Sequence, residues 1–582
     1  MDVDGHHPFR IALSVEKDPV AHSTLRFRAF LRQFPGGFPD RYYEFLNDGI
    51  DEPDWSSEFP AEWAAAEAEA VLLELGKEGT SDTLEPMVDA LRDGAAGRAV
   101  VIGGPPCQAY SIVGRARNKG KIGYKPATDE RHFLYRQYIT ILERIRPAAF
   151  VMENVKGILS STVDGKAIFS QVLDDLRAIG GDTRAYELLA FVRGKDGLSR
   201  LVPTLEPKDF IICAEDFGIP QARHRVIIIG IRRDAVASKH LFEIPLVTPT
   251  GSAEAPMTVR AKVRHALTGL PVLRSGLSRG DTPEAWFEKL REAASVVASA
   301  TADCGELLQR VRREILDLQD RLLEGDYPLS RAAEAIEEPH PECPPGLRDW
   351  LFDEKLKKVT GHVSRSHMPS DLARYLFVAA FAQAHGRSPV AKEFPLLLAP
   401  DHKNWDTGDF ADRFRAQVWD APSTTITSHI AKDGHYFIHP DPAQCRALTV
   451  REAARLQTFP DNYRFLGNRT QQFVQVGNAV PPLLAKQIAE ALHQLLVSSD
   501  APAAGATPPE WQETQASVLS LDEVAGVREV AVASAPRAAN DTNRKDSDPD
   551  QRNARLLRSV KFQRGYRGRM VFQRRSARRN GG

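Results

Sequence analysis

A chain of 582 residues with 42% hydrophobic content can bury more than one core, which excludes a short peptide and a chain that is disordered throughout. No apolar run is long enough to cross a bilayer, so we expect a cytoplasmic protein that makes no membrane contact. The five cysteines are scattered and never form a C-x-x-C pair. This pattern argues against a disulfide framework and a structural zinc site, and we therefore predict no metal site.

The formal net charge of −1 hides an uneven distribution along the chain. Residues 551–582 contain eleven Lys or Arg and no Asp or Glu, so the rest of the chain is acidic. If that acidic part binds nucleic acid, it must do so through a local basic groove. The basic end could supply nonspecific affinity for DNA or serve only as a solubilising tail, and both interpretations stay open.

Three apolar runs predict buried strands at residues 11–15, 99–102 and 148–152. Between the second and third runs, residues 133–144 show helical spacing of Leu, Tyr and Ile, so the order is strand, helix, strand. This order predicts a crossover unit of a parallel sheet. The working site of such a sheet lies at the carboxyl ends of its strands, which is where the chain places Cys107 and Glu153.

A further apolar strand is predicted at residues 226–231, and turn residues within 213–225 indicate a strand paired with it. The sequence then becomes polar and interrupted by proline, with an amphipathic helix at 307–323. This stretch is typical of an inserted domain. Strand and helix signals return at 449–457 and 481–496, after which large apolar residues are sparse.

The block Gly-Gly-Pro-Pro-Cys107-Gln places a cysteine just after a strand, behind prolines that stiffen the chain and glycines that admit a substrate. Glu153 ends the next strand. Arg223 and Arg225 alternate at the start of a later strand and therefore lie on one face. Taken singly, these are ordinary turn, capping and surface residues. Together they supply a nucleophile, an acid and cationic support.

Six blocks of the sequence occur in an order that is typical of one family. They are Gly103-Gly-Pro-Pro-Cys107-Gln108, Asp129-Glu-Arg131 with Leu134, Glu153-Asn-Val155, Gln221-Ala-Arg223-His-Arg225, residues 446–460 and Gln475-Val-Gly-Asn478-Ala-Val-Pro481. In order and spacing they resemble the motifs of the bacterial DNA (cytosine-5)-methyltransferase family. The resemblance implies an α/β fold: the Rossmann-like sheet of S-adenosylmethionine-dependent methyltransferases, with an inserted target recognition domain and a disordered basic tail.

The resemblance also implies transfer of a methyl group from S-adenosylmethionine to carbon 5 of cytosine in double-stranded DNA. Cys107 would add to carbon 6 of a flipped-out base, and Glu153 would bind or protonate ring nitrogen 3. Arg225, with Arg223 nearby, would help to hold the base.

The loop that follows the cysteine is expected to close over the DNA, although its basic residues also suit a loop that is merely solvated. The residues expected to contact DNA are Gln108, Ser111, Arg115, Arg117 and Lys119.

For the methyl donor, the resemblance implies a pocket lined by Glu16, Pro106, Leu134 and Asn478, with Glu16 accepting the ribose hydroxyls. The family also opens with a strand and a Phe-x-Gly-x-Gly-Gly loop, which nothing before residue 11 resembles. A sheet without that strand would leave backbone groups of its neighbour unpaired. We therefore expect that Met1 is not the natural start and that the chain as given binds the donor poorly.

The resemblance divides the chain into four parts. These are a catalytic domain at 1–234 without its first strand and glycine loop, a target recognition domain at 235–420, a return to the catalytic domain at 421–497, and a largely disordered tail at 498–582. We expect a monomer associated with the nucleoid, acting in epigenetic marking or beside a cognate restriction endonuclease. Two other functions stay open: RNA cytosine-5 methylation, and DNA binding by a catalytically impaired relative.

Overall fold

The computed structural model describes residues 8–95, 97–105, 135–163, 166–181, 184–194, 199–235, 260–302, 304–400, 405 and 413–497, and the structural statements below concern these residues. The predicted tail at 498–582 lies outside them. The strands are β1 (Ser14–Glu16), β2 (Ala70–Leu72), β3 (Val100–Gly103), β4 (Ala149–Val155), β5 (Thr162–Val163), β6 (Lys166–Ala167), β7 (Tyr186–Arg193), β8 (Ser199–Pro203), β9 (Ile211–Cys213), β10 (Gln221–Ala222), β11 (His224–Arg232), β12 (Gly276–Leu277), β13 (Ser366–His367) and β14 (Ser423–Thr424).

The α-helices are α1 (Pro19–Leu31), α2 (Asp40–Asp48), α3 (Trp55–Glu58), α4 (Pro60–Glu69), α5 (Thr80–Ala95), α6 (Tyr135–Ile145), α7 (Ile168–Arg177), α8 (Val263–Leu267), α9 (Pro283–Ala300), α10 (Glu306–Leu323), α11 (Pro345–Leu351), α12 (Pro369–His385), α13 (Val450–Leu456), α14 (Arg469–Asn478) and α15 (Pro482–Val497). Within the described part of the chain, no helix is both long and apolar enough to cross a bilayer.

The central sheet has the strand order β3-β4-β11-β7-β8, with β9 paired to the start of β11. Strands β3 and β4 are parallel and α6 lies between them in the chain, so the predicted crossover unit and the α/β class are confirmed. The other pairs are antiparallel, so the prediction of a parallel sheet was wrong and the sheet is mixed. The connections from β7 to β8 and from β9 to β11 are short, and short connections can join only antiparallel neighbours.

Both faces of the central sheet are covered, as β11 illustrates. Ile227 and Ile229 belong to one buried core, whereas Val226 and Ile228 belong to the core on the other face. Because successive side chains of a strand point to opposite faces, a strand covered on both sides is apolar throughout. The predicted apolar run at 226–231 is therefore confirmed as the middle of this sheet.

The first strand is shorter than predicted and belongs to a separate sheet. β1 begins only at Ser14 and pairs in parallel with β2, in a two-stranded sheet. Leu13 and Val15 nevertheless share a buried core with Val101 of β3. In the chain, β1 and β2 are separated by α1 to α4, which enclose an aromatic core around Phe30 and Trp55.

The segment predicted as an insert has a core of its own. Helices α9, α10 and α12 pack around residues that include Trp286, Ile315 and Phe377. The amphipathic helix predicted at 307–323 is confirmed as α10, whose buried side chains recur every three or four residues. Residues 437–448 contribute both to this core and to the core of the central sheet. The domain boundary at residue 420 stays a prediction.

Candidate active site

The segment that leads to the predicted nucleophile is held against the end of β4. β3 is paired with β4 up to Gly103, and the Asn154 side chain then donates a hydrogen bond from Nδ2 to the carbonyl of Pro105, at 3.3 Å. Asn154 is buried, so this contact satisfies an amide that would otherwise lose its water. The backbone two residues before Cys107 is thereby fixed beside Glu153.

Glu153 forms an ion pair with Arg225, with 3.0 Å between Oε1 and Nε. Exposed fractions of 23% for Glu153 and 16% for Arg225 mean that solvent screens this pair only partly. Burial lowers the pKa of the Arg225 guanidinium from its ordinary value and Glu153 opposes that shift, while an arginine remains charged in either case. Arg225 Nη1 also donates to the carbonyl of His224 at 2.8 Å, so the guanidinium is fixed on two sides.

Sheet register explains this pairing. Ile227 of β11 lies directly opposite Glu153 of β4, so Arg225, two residues earlier, is the diagonal neighbour of Glu153 on the same face. A Cβ atom on Gly104 would lie 3.3 Å from Glu153 Oε2. The second carboxylate oxygen therefore lies against the segment that leads to Cys107, where a larger side chain would crowd it.

Arg223 lies between β10 and β11, and its backbone N–H donates to the carbonyl of Gln221 at 2.9 Å, so the strand alternation predicted to give it the same face as Arg225 does not extend to it. It is buried, and its Nη1 donates to the carbonyl of Ile426 at 2.9 Å and to that of Gly477 at 3.4 Å. Gly477 is packed so closely that an added Cβ atom would lie 2.3 Å from the backbone carbonyl carbon of Thr427. Arg223 thus ties β11 to the return segment, and its predicted role in holding the base stays a prediction.

Two residues predicted to bind the methyl donor are described. Glu16 ends β1 and is buried, and its Oε1 accepts hydrogen bonds from the backbone N–H groups of Lys17 at 2.8 Å and Asp18 at 2.9 Å. These bonds orient the carboxylate at the carboxyl end of a parallel strand. Asn478 is half-buried at the end of α14, next to the glycine that Arg223 contacts.

The block 446–460 contains buried ion pairs that sequence reasoning did not anticipate. Arg446 binds Glu452 through two contacts of 2.7 Å, and Arg455 binds Asp461 at 2.9 and 2.7 Å, with all four side chains almost fully buried. Burial alone would raise the pKa of Glu452, but the Arg446 guanidinium holds it well below its ordinary value.

The same arginines also bind two backbone carbonyls in the first part of the predicted insert. Arg446 Nε donates to the carbonyl of Leu273 at 3.1 Å, and Arg455 Nη1 donates to that of Ala266 at 3.2 Å. The block therefore fastens the insert to the central sheet. One sequence signal could have indicated its rigidity: Thr449 and Glu452 have the spacing of a capping box, and they form one at the start of α13.

Several predicted site residues lie outside the described part of the chain, and their assignments stay predictions. They are Cys107, Pro106, Leu134 and the DNA-contacting set Gln108, Ser111, Arg115, Arg117 and Lys119. Of the predicted catalytic residues, the structure therefore brings together Glu153 and Arg225 and fixes the backbone that precedes the cysteine.

Comparison with known proteins gives one consistent family. The profile of the family described as "C-5 cytosine-specific DNA methylase" matches residues 97–264 and 353–494. These two ranges include Cys107, Glu153, Arg225 and Asn478, and the stretch between them falls within the predicted insert.

Among curated relatives, the chain is 31% identical over 506 residues to type II methyltransferase M.Bpa9945I of Bacillus paralicheniformis, covering 84% of this chain and 95% of the relative. It is 30% identical to type II methyltransferase M.AgeI of Thalassovita gelatinovora, covering 68% and 82%. It is 26% identical to DNA (cytosine-5-)-methyltransferase M.ApeKI of Aeropyrum pernix, covering 68% and 81%.

Proposed function

The chain belongs to the C-5 cytosine-specific DNA methylase family, and from this premise we propose that Glu153, oriented by Arg225, acts on a cytosine beside Cys107. Methylation of carbon 5 of cytosine in DNA, the reaction of the family, is the reaction of this enzyme. The observation that carries the residue assignment is the ion pair of Glu153 with Arg225, next to the backbone that leads to Cys107.

Cys107 activates a carbon that is a weak nucleophile on its own. Its thiolate adds to carbon 6 of the ring, and the electron pair displaced from the double bond makes carbon 5 nucleophilic. S-adenosylmethionine, when bound, supplies the methyl group as an electrophile. After carbon 5 has been methylated, it loses its proton, and the electrons of that bond restore the double bond and expel the Cys107 thiolate.

Glu153 assists the addition when its carboxyl O–H donates to ring nitrogen 3 while a carboxyl oxygen accepts a hydrogen bond from the exocyclic amino group. This contact withdraws electron density from carbon 6 and stabilises the adduct more than the free base. Arg225 binds Oε1 of Glu153, while Oε2 lies on the side of Gly104. The carboxylate is therefore oriented before the base arrives, which lowers the entropic cost of reaching the transition state.

We assign S-adenosylmethionine as the methyl donor and Glu16, Pro106, Leu134 and Asn478 as the residues that bind it. Support comes from Glu16, whose carboxylate is fixed by two backbone N–H groups at the end of a parallel strand. A carboxylate in that position binds ribose hydroxyls in dinucleotide-binding sheets, so the residue fits a nucleoside ligand. Asn478 adjoins the segment that Arg223 connects to β11.

The substrate form is double-stranded DNA from which the cytosine is flipped out, because a thiol cannot reach carbon 6 within a stacked duplex. Residues 235–420 choose the sequence, and a monomer suffices for one flipped base. The type II names of two relatives support a place in restriction–modification, with an endonuclease that cuts the same site.

Transfer of a labelled methyl group to DNA and to transfer RNA, measured side by side, tests the proposal. We expect the wild-type enzyme to label DNA and not transfer RNA, and we expect Cys107→Ser to label neither. Label in transfer RNA alone would identify an RNA methyltransferase, and binding to DNA without transfer would identify an inactive relative.

A further inference from the structure

A second cluster of reactive side chains lies on β11 one residue before Arg225. The Sγ atom of Cys213, a carboxylate oxygen of Glu215 and a ring nitrogen of His224 all lie within 4.8 Å of one another. Cys213 on β9 is directly opposite His224 on β11, so the two side chains project from the same face of the sheet. Glu215 belongs to the turn that follows β9.

One oxygen of this cluster has no partner among the described residues. Glu215 Oε1 binds His224 Nε2 at 2.7 Å, whereas Glu215 Oε2 is buried and accepts no hydrogen bond. A buried carboxylate oxygen without a donor costs free energy, and a cation would remove that cost. The neighbouring Asp216 is already paired with Arg193 and Arg260, so it does not compete for a cation.

The donor set favours one class of ion. A thiolate and an imidazole are ligands for Zn²⁺ and similar transition metals, whereas Mg²⁺ and Ca²⁺ require oxygen ligands. In a tetrahedral zinc site the donor atoms are roughly 3.5 Å apart, so the distances between these donor atoms would shorten by no more than about 1.3 Å. A thiolate and a carboxylate would neutralise the two charges of the ion. The His224 side chain is 40% exposed, which gives an ion access and leaves room for a water ligand.

We propose that Cys213, Glu215 and His224 form a Zn²⁺-type site that clamps β9 and its turn onto β11. The ligands come from both strands of the pair and from the turn that joins them, so a bound ion cross-links the strands at the end where that turn connects them. His224 and Arg225 are adjacent and therefore project from opposite faces of β11, which separates the ion from Glu153. The site is thus separate from the methyl-transfer chemistry and does not depend on that assignment. It is a departure from the sequence prediction of no metal site, which considered only cysteine pairs.

Cobalt binding tests the proposal directly, because a cysteine thiolate bound to Co²⁺ gives a charge-transfer absorption band. We expect tag-free, chelator-treated full-length protein to show this band on titration with Co²⁺ and to lose it when Zn²⁺ is added, but not when Mg²⁺ is added in excess. Cys213→Ser should abolish the band and weaken Zn²⁺ affinity at least ~10-fold by calorimetric titration. Cys304→Ser, which alters a half-buried cysteine in the connection between α9 and α10, is the matched control and should behave as wild type.

A second variant, His224→Gln, tests the same site if Cys213→Ser folds poorly. His224→Gln alters a partly exposed side chain, keeps the thiol and removes the nitrogen ligand, so its Zn²⁺ affinity should also fall at least ~10-fold. Zn²⁺ should raise the Tm of wild type and not that of His224→Gln. A wild type without the band, or a band that persists in Cys213→Ser, would overturn the proposal and leave Glu215 and His224 as a simple hydrogen-bonded pair.

Discussion

Arg225 reaches Glu153 from the neighbouring antiparallel strand, with 3.0 Å between its Nε and the carboxylate Oε1. The two side chains are diagonal neighbours on one face of the central sheet, and both are mostly buried. A carboxylate in this position would otherwise be free to rotate away from the base. In the proposed mechanism the arginine therefore acts through the acid, as a positioning residue.

Replacing Arg225 with lysine should impair chemistry more than stability. Lysine keeps the charge but cannot hold a carboxylate through a planar, directional contact. We expect the single-turnover rate of methyl transfer to fall by about 10-fold or more, with a smaller effect on DNA affinity. Rapid-quench measurement with labelled donor gives the rate. Arg233→Lys, which alters an exposed ion pair with Glu187 at the far end of β11, is the control and should leave the rate unchanged.

Replacing Cys107 with serine should abolish the covalent intermediate. An alcohol at neutral pH is far less nucleophilic than a thiolate, so the variant cannot add to carbon 6 at a useful rate. DNA containing 5-fluorocytosine traps the adduct, because the fluorine prevents loss of a proton from carbon 5. Denaturing electrophoresis should show a trapped complex with wild type and with Cys304→Ser, and none with Cys107→Ser. An adduct formed by the last variant would remove Cys107 from its role.

The buried pair of Arg455 and Asp461 should be a large contributor to stability. Both side chains are fully buried, and Arg455→Met leaves the Asp461 carboxylate with its longer contact of 3.8 Å to Arg451, so the change should cost about 3 kcal/mol in the free energy of unfolding. The double variant Arg455→Met with Asp461→Asn should lose less than the sum of the two single changes. Urea denaturation measures each value. Arg310→Met removes an exposed pair with Glu306, and a similar loss there would contradict the argument.

Buried histidines should make the protein sensitive to mild acid. Burial lowers the pKa of His362 to about 4 and that of His367 to about 3. Between pH 6.5 and those values the two histidines bind protons in the unfolded chain but not in the folded chain. Their contribution to the free energy of unfolding is therefore complete above pH 6.5 and is lost as the pH falls. Each histidine contributes a slope of about 1.4 kcal/mol per pH unit in that window.

His362→Gln provides the check on this pH dependence. Glutamine can replace the hydrogen bonds of His362 to Thr449 and Pro271 but cannot be protonated. We expect the free energy of unfolding to fall less steeply between pH 6.5 and 4.5 in the variant than in wild type. Equal slopes would show that His362 does not couple protonation to folding.

The sequence by itself determined the local features of this protein. Apolar runs and helical spacing predicted β3, α6 and β4, because each of these patterns depends on residues that are close in the chain. The family motifs identified Glu153 and the cysteine-bearing segment, since a motif records which residue types a reaction needs.

Only the tertiary structure decided which partners these residues have. The register of β11 against β4 places Arg225 beside Glu153, whereas Arg223 lies just before β11 and contacts the return segment. The mixed sheet and the pairing of β1 with β2 likewise depend on contacts between distant segments, as does the cluster around Cys213. Periodicity reports which face a side chain occupies, but it carries no information on which strand will lie beside it.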